Sequence, residues 1–110
     1  NYTDVINNNE TELKRAVFQQ PVSVAIQANK RSFQMYQSGI YSDLECGTEL
    51  DHGVLVVGYG YSLKQDMKYW IVKNSWSANW GENGYIRIQR DIEDERGMCG
   101  IAMEPSIPII

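Results

Sequence analysis

Three strand-like segments follow one another closely in the second half of the chain, and they constrain its fold more than any other feature. Residues 54–57 form a continuous aliphatic run, which is typical of a strand buried on both faces. Residues 69–72 are rich in aromatic and β-branched side chains, and residues 85–90 alternate apolar with polar ones. A charged, hairpin-like loop, residues 62–68, joins the first two segments. Consecutive strands with short connections predict an antiparallel, twisted sheet.

The first half of the chain contributes short helices and one more strand. Residues 11–19 have apolar side chains at helical spacing and predict a helix that ends before Pro21, since proline cannot continue a helix interior. Residues 21–28 alternate as a strand does, and residues 31–36 predict one helical turn. Residues 1–10 are polar and rich in asparagine, which indicates a linker. The pattern predicts a β-rich unit with a small helical component, and 110 residues suit one domain at most.

Charge and composition argue against several classes of ligand. The net charge is -4, and the ten lysines and arginines form no basic cluster, which argues against nucleic acid and membrane surfaces as partners. No apolar run approaches the roughly 20 residues that a membrane-spanning helix needs. One histidine and two distant cysteines make a poor set of metal ligands, so we expect neither a metal nor another cofactor.

The two cysteines and two sequons indicate the cellular compartment in which the protein folds. Cys46 and Cys99 are either two buried thiols or one disulfide, and an oxidising compartment favours the bridge. Asn1 and Asn9 begin Asn-Tyr-Thr and Asn-Glu-Thr, which are candidate sites of N-glycosylation and fit passage through the secretory pathway. The chain starts with neither an initiator methionine nor a signal-peptide pattern, so we expect it to be a piece of a longer precursor.

His52 is the single histidine and stands beside Asp51 at the start of the most hydrophobic strand. A lone histidine is often structural. The alternative is a general base or acid, a role that suits histidine because its ordinary pKa lies near neutral pH. Asn74 ends the next strand, and in an antiparallel pair the end of one strand lies near the start of its neighbour. An amide oxygen there can orient the imidazole, as the third group of a catalytic triad does. Trp76 and Trp80 either pack on the sheet end or shield this contact from water.

Several motifs resemble those of papain-like cysteine proteases of the plant or cathepsin L type, in that family's order. Residues 50–60 resemble its histidine motif, and residues 69–76 and 80–85 resemble its asparagine motif. Shorter matches are residues 20–26, 38–41 and 99–102. The resemblance covers nearly the whole chain from about Glu12 onward. It implies an α+β enzyme whose C-terminal half is residues 1–110, a twisted antiparallel sheet or barrel-like domain with short helices.

The resemblance implies roles for the residues around the histidine. His52 would be the general base and acid, paired with a cysteine thiolate whose pKa the imidazolium lowers. Asn74 would orient the imidazole, and Trp76 and Trp80 would support the pair, Trp76 by covering its hydrogen bond. Asp51 would have a modest electrostatic role outside the triad.

The resemblance also pairs Cys46 with Cys99 in a disulfide and places the nucleophile outside the chain. Neither cysteine stands in the family's nucleophile motif. That nucleophile lies about 130–150 residues before the histidine, which is roughly 80–100 residues before Asn1. An N-terminal helical domain would supply the thiol, the oxyanion hole and the other wall of the cleft, so we expect this chain to be inactive alone.

By motif position, Ala25, Leu50 and Gly53 line the main substrate pocket, which receives the side chain two residues before the scissile bond. Their small or aliphatic side chains predict an apolar residue there. Glu104 aligns with the residue at the base of the pocket. Its carboxylate either pairs with a substrate arginine or turns into solvent.

The resulting hypothesis is a cysteine endopeptidase with a Cys-His-Asn arrangement, to which this chain supplies His52 and Asn74. The implied partners are the N-terminal domain, in the same precursor or as a separate chain, together with peptide substrates, a propeptide and cystatin-like inhibitors. The implied location is outside the cell, in the lysosome or in the vacuole. The alternative is a catalytically inactive homologue that acts as a secreted binding module, against which the retained histidine, asparagine and tryptophans argue. A third hypothesis, a small secreted sheet module that binds a protein, leaves the His-Asn pairing unexplained.

Overall fold

The computed structural model describes residues 2–108, which form one seven-stranded sheet with two short helices. The strands are β1 (Tyr2–Asp4), β2 (Val22–Ile26), β3 (Ile40–Tyr41), β4 (His52–Ser62), β5 (Met67–Lys73), β6 (Tyr85–Gln89) and β7 (Ser106–Pro108). The helices are α1 (Glu10–Gln19) and α2 (Arg31–Gln34), and a short 3-10 segment covers Met98–Gly100. The sheet order is β1-β7-β2-β4-β5-β6-β3. All neighbours are antiparallel except β3 and β6, and the sheet is open, with β1 and β3 at its edges.

Strands β4, β5 and β6 confirm the antiparallel sheet predicted from the sequence. β4 pairs with β5 through a short turn, and β5 pairs with β6 through a longer loop, residues 74–84. The prediction that residues 54–57 are buried on both faces is wrong. Val54 and Val56 are buried, whereas Leu55 and Val57 are half-buried, because successive side chains of a strand point to opposite faces and only one face lies on the core.

The edge strands depart from the sequence-based expectation. Residues 1–10 are not wholly a linker, because β1 pairs with β7 from Thr3 opposite Ile107 to Asp4 opposite Ser106. A three-residue edge strand is too short to show alternation, and its pairing partner lies at the far end of the chain. Asn1 lies outside the described residues.

Helix α1 confirms the helix predicted before Pro21. Asn9 caps it by accepting a hydrogen bond from the backbone N–H of Glu12 at 3.0 Å. Leu13 and Val17 face the sheet and are buried. The core comprises these two side chains and apolar residues of the strands and loops, among them Val22, Val24, Ile26, Phe33, Val56, Trp70, Val72, Ile86, Ile88 and Ile101. In the described part of the chain, no helix has the length and apolar character needed to cross a membrane.

A disulfide closes the loop region that leads into β4. Cys46, in the loop before β4, is bonded to Cys99 in the 3-10 segment, and both residues are buried. The bridge holds the segment before His52 against the end of β2, since Gln27 donates its backbone N–H to the carbonyl of Cys99 at 2.9 Å. The disulfide thus positions the start of β4, where the histidine lies.

Candidate active site

His52 and Asn74 meet at one end of the β4–β5 hairpin. His52 opens β4, and Asn74 directly follows the end of β5. The imidazole Nε2 lies 2.7 Å from Asn74 Oδ1, and this oxygen also accepts the backbone N–H of Ser75 at 2.7 Å. Because a backbone N–H only donates, it fixes the amide with its oxygen toward the imidazole, so Nε2 carries the proton in this pair. Nδ1 is then the ring nitrogen left for proton transfer.

Two tryptophans lie next to this pair, and one of them contacts the imidazole. The ring of Trp76 stacks on His52, with centroids 5.1 Å apart and an angle of 28° between the planes. Trp80 meets Trp76 edge to face at 5.1 Å, and its indole N–H points to the carbonyls of Phe33 and Gln34 at 3.3 and 3.1 Å. Both tryptophans are half-buried. Trp80 therefore anchors the loop on α2, while Trp76 stacks on the imidazole.

The loop that carries the tryptophans is held by an ion pair that the sequence did not reveal. Glu82 accepts hydrogen bonds from Arg87 at 3.0 and 2.9 Å and from the backbone N–H of Gly39 at 3.0 Å. The guanidinium of Arg87 is the main cause that lowers the pKa of Glu82. Gly81 has φ +60°, and a Cβ there would lie 2.6 Å from the carbonyl oxygen of Tyr85. The tight turn and the ion pair together fix the direction of the loop.

Asp51 lies beside His52 in sequence but bonds to β2. Its backbone N–H donates to the carbonyl of Ile26 at 2.9 Å, and its Oδ1 accepts the backbone N–H of Ala28 at 2.8 Å. These two bonds fasten the start of β4 to the end of β2. They position His52 through the backbone, and the electrostatic role assigned to Asp51 by resemblance stays a prediction.

Three of the residues assigned to the substrate pocket lie on β2, on β4 and in the loop just before β4. Ala25 and Gly53 are opposite each other in the β2–β4 pair. Leu50 lies beside Gly100, where an added Cβ would be 2.9 Å from Leu50 Cδ2 and 3.0 Å from Met103 Sδ. Leu50 and Met103 therefore lie against the same glycine. The sequence pattern did not predict Met103 as a neighbour of the pocket.

Glu104 is exposed and lies in a groove of about 680 Å³. The groove is lined by Asp4, Val5, Ile6, Asn7, Met103, Glu104, Pro105 and Ser106. Two carboxylates, Asp4 and Glu104, give it negative charge, and Ile6 leaves 61% of its surface exposed there. The groove thus combines an apolar wall with groups that attract a cation.

The site holds an imidazole and an amide in contact with each other, without a free thiol. Cys46 and Cys99 are the two cysteines of the sequence, and both are in the disulfide. Within residues 2–108, no three side chains of the kinds that bind metals converge on one point. What the arrangement can do by itself is accept and return a proton at Nδ1 of His52.

Comparison with known proteins agrees with this geometry. The family described as papain family cysteine protease matches residues 1–109. Thiol protease SEN102 of Hemerocallis is 57% identical over 108 residues, which are 98% of this chain and 29% of that protein. Cysteine proteinase RD21A of Arabidopsis thaliana is 56% identical over 108 residues, which are 98% of this chain and 23% of that protein. The chain thus spans less than a third of these relatives.

Solved structures extend the likeness to the fold. Bromelain from Ananas comosus, in complex with the E64 inhibitor, superimposes with a TM-score of 0.92 at 48% identity, over 97% of this chain and 48% of that one. The proform of Amb a 11, a cysteine protease and ragweed pollen allergen, gives a TM-score of 0.93 at 45% identity, over 99% of this chain and 29% of that one. With the match over residues 1–109, these similarities place the chain among the cysteine proteases, and it belongs to the papain family.

Proposed function

We propose that this chain is the C-terminal half of a cysteine endopeptidase and supplies its general base and the amide that orients it. The observation that carries the proposal is the 2.7 Å contact between His52 Nε2 and Asn74 Oδ1, with Trp76 stacked on the ring. Nδ1 takes the proton of a cysteine thiol, and the resulting imidazolium stabilises the thiolate. The thiolate attacks the peptide carbonyl, and Nδ1 then donates its proton to the leaving amine. In the second step, the neutral imidazole removes a proton from the water that hydrolyses the thioester.

The thiol comes from an N-terminal helical domain, joined in one precursor or held as a separate chain. Both cysteines of this chain are bonded to each other, and its relatives are more than three times as long.

The substrates are peptides with an apolar side chain two residues before the scissile bond. Leu50, Ala25 and Gly53 are the apolar or small residues that support this choice. The exposed carboxylate of Glu104 supports acceptance of arginine or lysine as well, because a carboxylate forms charge-assisted hydrogen bonds with either cation.

The partners that we propose include a propeptide and active-site inhibitors. Amb a 11 is known as a proform, and bromelain has been solved with E64. The same cleft in this protein is therefore expected to accept a propeptide, E64 and cystatin-like proteins.

The compartment that we propose is the secretory pathway, leading outside the cell or to the lysosome or vacuole. The buried disulfide fits oxidising conditions. Asn9 is exposed, and its Oδ1 is used by the helix cap, which leaves Nδ2 free to carry a glycan. Asn1, the other sequon, is proposed on its sequence alone.

The test of this function uses the complete protein that contains the chain, treated with a thiol-directed irreversible inhibitor and assayed on a peptide substrate. The parent is expected to hydrolyse the peptide and to be labelled on a cysteine outside these 110 residues. His52→Ala should lose both the hydrolysis of the peptide and the labelling of the cysteine, because the thiol keeps its proton when the imidazole is absent. Asn74→Ala should lower kcat/KM by about 100-fold or more, since the imidazole loses its orientation.

The control is Gln65→Ala, an exposed residue in the turn between β4 and β5, which should keep parental kcat/KM. A parent that is neither labelled nor active would favour the inactive homologue instead. Labelling of His52→Ala at the parental rate would rule out the proposed ion pair.

A further inference from the structure

One buried amide holds the segment that runs from the disulfide to the histidine, residues 46–51. Gln27 directly follows β2 and leaves only 7% of its surface exposed. Its Oε1 accepts the backbone N–H of Glu49 at 2.8 Å, and its Nε2 donates to Asn29 Oδ1 at 2.8 Å. Both the oxygen and the nitrogen of the Gln27 amide are therefore hydrogen-bonded, and the oxygen is bonded to the segment.

The segment closes directly onto this amide. Gly47 has φ +88°, a conformation that favours glycine, and a Cβ there would lie 2.2 Å from Gln27 Oε1. Sγ of Cys46 lies 3.3 Å from the backbone oxygen of Gln27. There is thus no room for a side chain between the amide and the segment. The length of the Gln27 side chain therefore sets the distance between the segment and the end of β2.

His52 has anchors of its own that do not depend on Gln27. Asp51 is bonded to the backbone at the end of β2 through its N–H and its carboxylate, and His52 is bonded to Asn74. Leu50 lies between Glu49 and Asp51. On its N-terminal side, the nearest hydrogen bond is the one that Glu49 donates to Gln27. A loss of that bond is expected to displace Leu50 before it displaces the imidazole.

We infer that Gln27 is a positioning residue that sets the place of Leu50 and thereby the preference for the substrate side chain that packs on it. This inference rests on the proposed function and on Leu50 being a wall of the substrate pocket. The affected substrates are peptides with a large apolar side chain two residues before the scissile bond. Gln27 is buried and its amide is bonded to Glu49 and Asn29, so its effect is expected on the selection of peptides and not on the proton transfer at His52.

The test compares two substitutions in the complete protein that contains this chain. Gln27→Met has a similar length but accepts no hydrogen bond from Glu49. Gln27→Glu keeps the acceptor, and the amide of Asn29 can turn to donate to it. The readout is the ratio of kcat/KM for two peptides that differ only two residues before the scissile bond, one with leucine and one with alanine.

The ratio should fall about tenfold in Gln27→Met, through a higher KM for the leucine peptide, because a displaced wall loses contacts of about one or two methylene groups. Its kcat should stay within about twofold of the parent. Gln27→Glu should keep the parental ratio. Where Gln27→Met does not fold, Gln27→Asn, which is too short to reach Glu49, replaces it with the same expected fall.

A purely structural role for Gln27 predicts a different result, namely a lower melting temperature with an unchanged ratio, and that result would overturn the inference. An equal fall in Gln27→Glu and Gln27→Met would also overturn it, since the acceptor would then not matter. If the parent cleaves the leucine peptide and the ratio never changes, the proposed function stands and the role of Gln27 is refuted. If the parent cleaves neither peptide, both are refuted.

Discussion

Glu10 is a charged side chain at the start of α1 that is buried against the sheet. Trp70 donates its indole N–H to Glu10 Oε1 at 2.9 Å, and the backbone N–H of Asp91 donates to Oε2 at 3.1 Å. Burial removes water from the carboxylate and raises the pKa of Glu10 above its usual 4.5, despite these two hydrogen bonds. The residue thus links α1 to β5 and to the end of β6, and its proton affects the stability of the fold.

The direction of this effect follows from the raised pKa of Glu10. Folding favours the protonated carboxyl, so the stability that this group contributes is complete below about pH 4.5 and is lost as the pH rises through the folded-state pKa. Glu10→Gln does not titrate. We therefore expect the free energy of unfolding of the parent, minus that of Glu10→Gln, to decrease as the pH rises above 4.5, measured by urea denaturation.

Glu93→Gln serves as the control for Glu10→Gln, because Glu93 is exposed. The difference in free energy of unfolding between the parent and Glu93→Gln should change little over the same pH range. A difference for Glu10→Gln that grows with pH would show that hydrogen bonding outweighs burial at this carboxyl.

At the scale of secondary structure, strands β4, β5 and β6 are joined by a buried arginine as well as by their backbone pairing. Arg90 follows β6 and donates to the carbonyls of Gly60 in β4 and Tyr69 in β5, at 3.2 and 3.3 Å. Its guanidinium also lies 5.3 Å from the ring centroid of Tyr59 and 5.5 Å from that of Trp70. One planar cation therefore bridges two strands and contacts two aromatic rings.

Arg90→Lys tests how much this bridge stabilises the sheet. Lysine keeps the charge but loses the planar fork, so at least one partly buried carbonyl is left without its donor. We expect the free energy of unfolding to fall by about 1–3 kcal/mol. Arg15→Lys, on the exposed face of α1, is the matched control and should change it by less than about 0.5 kcal/mol. Equal losses in the two variants would mean that the geometry at Arg90 contributes nothing.

At the scale of the whole molecule, the disulfide joins two regions that the sheet alone does not connect. Cys46 and Cys99 are separated by 53 positions, and the strands β4, β5 and β6 all lie between them. A cross-link of this span restricts the unfolded chain more than the folded one. Its main contribution is therefore to the stability of the sheet that presents the site.

Removal of the bridge by Cys46→Ala with Cys99→Ala should lower the free energy of unfolding by about 4 kcal/mol, as expected for a closed loop of this length. Denaturant titration of both proteins measures the difference. A reductant should lower the unfolding midpoint of the parent and leave that of the double variant unchanged. The prediction fails if the parent and the double variant unfold at the same denaturant concentration.

Much of the central sheet and of the site was predictable because the signals are local. Alternation and β-branched runs identified the region of β4, β5 and β6, and the antiparallel arrangement brought the start of β4 near the end of β5. That reasoning placed His52 beside Asn74, and the structure has them 2.7 Å apart. The burial of residues 54–57 was misjudged because a continuous apolar run does not reveal which face has a neighbour.

The amino-acid sequence by itself determined the strands β4, β5 and β6, the helix α1 and the motifs that identify the family, because each depends on residues close together in the chain. The tertiary structure alone decided the strand β1, the burial of Glu10 against Trp70, the bridge made by Arg90 and the contact of Gln27 with Glu49. Each of these joins residues 20 or more positions apart. Their partners are chosen by the packing of the sheet, and no local pattern in the sequence encodes which distant backbone group a buried polar side chain will meet.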